Sequence, residues 1–122
     1  MPKFMALYVG SPDAFARSGW DKLDDKSRKE REIAGMQAWG AWQEKNKSVL
    51  ADEGGPLGKT KRVDVKGVSD ISNAVAGYVI VETASHDAAA KLFENHPHFS
   101  VFPGDAVEIM PCNPIPTMDD LK

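Results

Sequence analysis

Apolar and polar positions alternate between two regimes along this chain: short continuous apolar runs closed by breaker residues, and longer stretches where apolar residues recur with helical spacing. The run KFMALYVG, Lys3 to Gly10, is followed by Ser11 and Pro12, and predicts a first strand. Asp13 to Asp25 is polar apart from Phe15 and Trp20, and reads as a connection whose two rings fold back onto the domain. A helix is expected to open near Ser27, since Ser27 and Glu30 have capping-box spacing, at which each side chain satisfies a backbone N–H. Within it Ile33, Met36, Gly40 and Gln43 form one stripe, with Trp39 and Trp42 beside it. Gly35 and Gly40 each cost about 1 kcal/mol of helix propensity relative to alanine. Close approach of the backbone to a sheet or a ligand is the usual return. The helix should end at Asn46 to Lys47, and SVLADEGG then predicts a second strand leaving through Gly54 and Gly55.

The next segment is a polar, hairpin-like excursion with a minor strand around Arg62 to Val65. A strong strand follows, Val75 to Thr83. Ser85 caps a short helix, Asp87 to Asn95, in which Ala89, Leu92, Phe93 and His96 fall on one face. Pro97 removes a donor and disfavours the helical region for His96, so the helix stops there and His98 is expected in an extended segment. DAVEIMP is the last strand. The order strand, helix, strand, strand, helix, strand is the split βαβ, ferredoxin-like arrangement: an α+β fold with an antiparallel sheet and two helices on one face. Residues 1–111 make this domain, and 112–122, rich in proline, make an extended C-terminal arm. A sheet with one solvated face should alternate apolar and polar residues. Phe4 to Val9 and Val75 to Val81 do not. Two helices cover one face, so a second copy of the sheet is expected on the other, and the chain should be a homodimer.

Composition narrows the function classes. The formal net charge of -3 disfavours non-specific attraction to nucleic acid. The basic residues of DKSRKERE are interleaved with acids, as on a solvated helix face. No apolar run approaches the roughly 20 residues of a membrane span. Cys112 is the only cysteine, so there is no disulfide framework and a reducing, cytoplasmic setting is expected. It reads as a small apolar filler beside a strand end.

Three segments, GGPLGKTKRV, AGYVIVETASHDAAAKLFENHP and PGDAVEIMP, together resemble the YCII-related proteins, also called the DGPF-domain family. The shared features are a glycine-rich exit after the second strand, a G-Y-x-x-[IV]-[EV] strand, and S-x-[DE]-[AE]-A opening the second helix. A proline then ends that helix and G-x-[VI]-E-[VI] forms the last strand. The resemblance covers most of the chain from Met36 to Pro111, more loosely the first strand, and implies a dimeric α+β barrel but no assigned reaction. With no phosphate-binding or dinucleotide motif in the sequence, no cofactor is expected. The early histidine and aspartate suspected of catalysis in such proteins have no counterpart, because no histidine precedes His86. SDISNAVAGY stands where D-G-P-F would be.

The candidate chemistry rests on His96, His98 and Asp52. Imidazole is the side chain that exchanges a proton nearest neutral pH, and His96 at the inner end of a helix suits a general acid or base. The same position also suits a plain capping role, in which the ring meets the helix dipole. His98 is expected to bound a cleft between the second helix and the sheet, with His96 behind it and lowered in pKa by burial. Asp52 and Glu53, at the exit of the second strand, are the acids nearest in pattern to pair with a histidine. Trp39, Trp42, Tyr78, Phe93, Phe99 and Phe102 would line an aromatic cleft for a small-molecule ligand, or else simply form the core. A metal is not expected: no third or fourth ligand stands at a recognised spacing from His96 and His98. Two readings stay open, an enzyme using a cleft histidine for proton transfer and a non-catalytic dimeric module that binds a ligand or partner.

Overall fold

The structure, a computed structural model, describes residues 1–121; Lys122, the end of the expected arm, lies outside them. Strands β1 (Lys3–Val9), β2 (Leu50–Pro56), β5 (Val75–Glu82) and β6 (Ala106–Pro111) form one antiparallel sheet in the order β2-β5-β1-β6. β3 (Thr60–Asp64) and β4 (Gly67–Ile71) pair only with each other, as a hairpin. The helices are α1 (Pro12–Ser18), α2 (Asp25–Lys45), α3 (His86–Lys91) and α4 (Pro97–Ser100). The architecture is α+β and ferredoxin-like, with β1 and β5 side by side at the centre.

Alternation along the central strands separates the sheet into two faces. Phe4, Ala6 and Tyr8 of β1 pair with Val81, Val79 and Gly77 of β5, and all six are buried. α2 supplies the other half of this core through Trp39 and Trp42, and α3 with the turn after it through Ala89 and Phe93. The opposite face carries Met5, Leu7 and Val9 against Tyr78 and Ile80, half-buried at the level of one chain. No helix lies over it, so the apolar character of both parities of β1 has a structural use on one side only.

Several local expectations are corrected. The segment after β1 is a helix, α1: Ser11 caps it by accepting the Ala14 N–H at 3.1 Å, Pro12 opens it, and Gly19 at φ 79° ends it. Trp20 is buried against Phe102, whereas Phe15 remains exposed. The N-cap of α2 is Asp24, which accepts the Ser27 N–H at 2.7 Å, so Ser27 lies inside the helix. Ile33 and Met36 face solvent; the buried side of α2 runs through Gly35, Trp39 and Trp42. The excursion around Arg62 to Val65 has a second strand, β4. α3 ends at Lys91, and Asn95 takes a left-handed φ of 55° before Pro97. Pro97 does not lead into an extended segment. It starts α4, for which His96 is the N-cap. Cys112 is exposed and not a packed filler.

Candidate active site

Beneath α2, at the end of the sheet where β2 leaves β5, an open cleft of about 610 Å³ is bordered by Tyr8, Trp39, Gly40, Glu53, His98 and Phe102. Two features of the backbone make room for it. Gly35 lets Phe102 lie against the helix, where a methyl at that position would stand 2.4 Å from Phe102 Cζ. Pairing of β2 with β5 shifts between Asp52 and Gly55, a bulge in which Gly54 adopts φ 62°. A methyl on Gly54 would meet the Tyr78 carbonyl oxygen at 1.8 Å. The bulge turns Glu53 to the cleft, while Asp52 stays on the other side.

His96 lies behind the cleft wall and is wholly buried. Its Nδ1 accepts the backbone N–H of His98 at 3.0 Å, the side-chain cap of α4. Its Nε2 lies 3.4 Å from Tyr8 Oη. Trp39 and Trp42 present their rings edgewise to it at 4.6 and 4.7 Å. Burial, and secondly the neighbouring His98, lowers its pKa from 6.5 to about 4, so it is neutral at neutral pH. Burial also pushes the Tyr8 phenol well above its ordinary range, leaving it protonated.

His98 is placed differently. Only 8% of it is exposed, and it borders the cleft. Its Nε2 is 2.8 Å from the Val9 carbonyl oxygen. A carbonyl only accepts, so Nε2 carries a hydrogen, and in the neutral ring Nδ1 holds the lone pair. Among the described residues no group bonds that nitrogen, and no fully enclosed side-chain nitrogen or oxygen lacks a partner. Nδ1 is therefore accessible, and the cleft is the space His98 faces.

Of the other residues singled out in the sequence, Trp39 and Phe102 wall the cleft. Trp42 and Phe93 pack in the core with tilted rings 5.1 Å apart, and Trp42 Nε1 donates to the Leu92 carbonyl at 2.7 Å. Phe99 stands apart, half-exposed, in a shallow depression beside α3 that His98 does not border. The cleft thus lies under the long helix rather than under the second one. Tyr78 reaches its rim, but alternation along β5 sends the ring to the open face, where Tyr78 Oη donates to Asp52 Oδ2 at 3.4 Å. Asp52 also accepts the Gly54 N–H at 2.8 Å. Tyr8 was not legible as a site residue: within an apolar run, nothing distinguishes a tyrosine under a helix from one in the core. Among the described residues no group of three or more histidine, cysteine, aspartate or glutamate side chains could hold a metal ion. No helix among them is long and apolar enough to cross a membrane.

By fold, the chain is an α+β protein with a ferredoxin-like antiparallel sheet. A solved structure that shares this architecture is 5-chloro-2-hydroxyhydroquinone dehydrochlorinase (TftG) from Burkholderia phenoliruptrix AC1100, in complex with 2,5-dihydroxybenzoquinone. The TM-score is 0.54 at 20% sequence identity, over 91% of this chain and 93% of that one. No family model matches the chain, and no curated protein matches it in sequence.

Proposed function

We propose that this chain is a YCII-related small-molecule enzyme that moves a proton in the cleft under α2, with His98 as the base. One observation carries the reading: a largely buried imidazole is fixed through Nε2–H to Val9 and offers an unpartnered Nδ1 to an aromatic-walled space. In the reaction, a C–H or O–H bond of the ligand breaks and its proton bonds to Nδ1. The electron pair stays on the ligand, delocalised onto a carbonyl or phenolic oxygen. Trp39 and Phe102 hold a flat ligand and exclude water from one side. His96 acts as a positioning residue, because its Nδ1 holds the first turn of α4 and hence the His98 backbone. The ring-shaped, oxygen-rich ligand of TftG supports the choice of ligand size. A second copy is proposed to cover the open face of the sheet.

The test uses aromatic ketones, phenylacetone among them, incubated with the protein in deuterium oxide. Proton NMR should show deuterium entering the carbon next to the carbonyl faster than in buffer. His98→Gln should lower the catalysed rate about 10²-fold or more. Ketones that raise the thermal midpoint without any exchange would instead identify a binding module.

A further inference from the structure

The buried network around His96 leaves one hydrogen without a destination. His96 is neutral, and a neutral imidazole carries a single N–H. Its Nδ1 is an acceptor, since the His98 backbone N–H points at it from 3.0 Å. The ring hydrogen is therefore on Nε2, and that N–H donates to Tyr8 Oη. Among the described residues Tyr8 Oη has no other bond, so its own hydrogen has no acceptor there. The residue is 4% exposed and borders the cleft. A largely buried hydroxyl without a protein acceptor is unfavourable, and an oxygen atom of a ligand in the cleft supplies one.

We infer that Tyr8 is a second ligand-contacting group, and that the ligand class is flat hydroxy-carbonyl compounds with O–H and C=O on adjacent carbons. Tyr8 O–H donates to the carbonyl oxygen, and His98 Nδ1 accepts from the hydroxyl. The Tyr8 and His98 rings are 5.3 Å apart, close enough for one small ligand to meet both. Trp39 packs on Tyr8 at 4.8 Å and Phe102 lies 6.1 Å from Trp39, so the surrounding walls suit a planar ring. When the ligand O–H bond breaks, its proton bonds to Nδ1. The electron pair remains on that oxygen and spreads to the carbonyl oxygen facing Tyr8. Tyr8 keeps its own proton throughout, as its raised pKa requires. Nothing is oxidised or reduced.

The inference shares the cleft with the proposed function and depends on its His98 reading for the hydroxyl contact alone, so the experiment separates the two. Tropolone carries both groups, tropone only the carbonyl, and 2-methoxytropone a blocked hydroxyl. Calorimetric titration near neutral pH should show wild-type protein binding tropolone about ten-fold or more tighter than the other two. Tyr8→Phe should weaken tropolone and tropone alike, by about ten-fold. His98→Gln should abolish the preference for tropolone and leave tropone unchanged. If Tyr8→Phe changes nothing while His98→Gln abolishes the preference, the Tyr8 inference fails and the base stands. If the preference survives His98→Gln, the base fails and Tyr8 stands. Failure of all three compounds to bind the wild type overturns the ligand class. Nitrogen-15 NMR of the wild type gives a check independent of any variant: His96 should carry its hydrogen on Nε2, and a hydrogen on Nδ1 would overturn the argument.

Discussion

His96 and His98 are separated by one proline and meet opposite conditions. For His96 the folded pKa is depressed, about 4 against an ordinary 6.5. As pH falls below about 6.5 the unfolded chain takes up a proton that the folded chain refuses, so stability drops until about 4 and then levels off. Urea unfolding should therefore show the wild type losing on the order of 3 kcal/mol more than His96→Leu between neutral pH and about pH 4. The two helical glycines make a second contrast. Gly40→Ala adds a methyl with nothing within 4 Å and should stabilise by roughly 0.5–1 kcal/mol. Gly35→Ala gains the same propensity but collides with the Phe102 ring, and should lower the thermal midpoint. The sequence led to close approach being expected at both glycines, which holds at Gly35 and not at Gly40, and to burial lowering the pKa of His96. It could not assign the free nitrogen of His98, which depends on the Val9 carbonyl, a backbone group from the far end of the chain.

The strands were readable because each is an apolar run bounded by glycine, proline or polar residues, and the boundaries of β1, β5 and β6 lie within a residue or so of expectation. The helices were harder. S-P-D-A is a cap and N1 signal, but the segment after it is too polar to show a periodic face, and α1 was read as a connection. In α2 the stripe was displaced because Trp39 and Trp42 dominate the packing, and Met36 was left at the cleft rim. Pro97 was expected to stop the second helix, which instead ends at Lys91; that Pro97 starts another depends on His96 folding its ring over the next turn. The β3–β4 hairpin belongs to a different regime. Val63, Val65 and Val68 are exposed, and a hairpin without a hydrophobic face to pack on is only marginally stable. Hydrogen exchange should find its amides opening far faster than those of β1 and β5. Protection equal to the central strands would mean that something covers it.

At the level of the molecule, Met5, Leu7, Val9, Tyr78 and Ile80 form an apolar surface without a helix above it. With a second copy on that face, sedimentation at micromolar concentration should give a dimer, with a buried area above ~1,000 Å². Leu7→Asp should shift it to monomer without unfolding it. A wild type that sediments as a monomer would leave the two-sided apolar pattern without its explanation. Leu7 and Tyr8 are successive residues, yet one belongs to the open face and the other to the cleft. Along β1 the odd positions and the even positions thus answer to different demands. If a second copy covers the open face, substitutions at Met5 or Leu7 would change which chain is recognised while Phe4, Ala6 and Tyr8 stay as they are. A duplicated copy of this gene would then diverge in pairing specificity and keep the lining of its cleft intact.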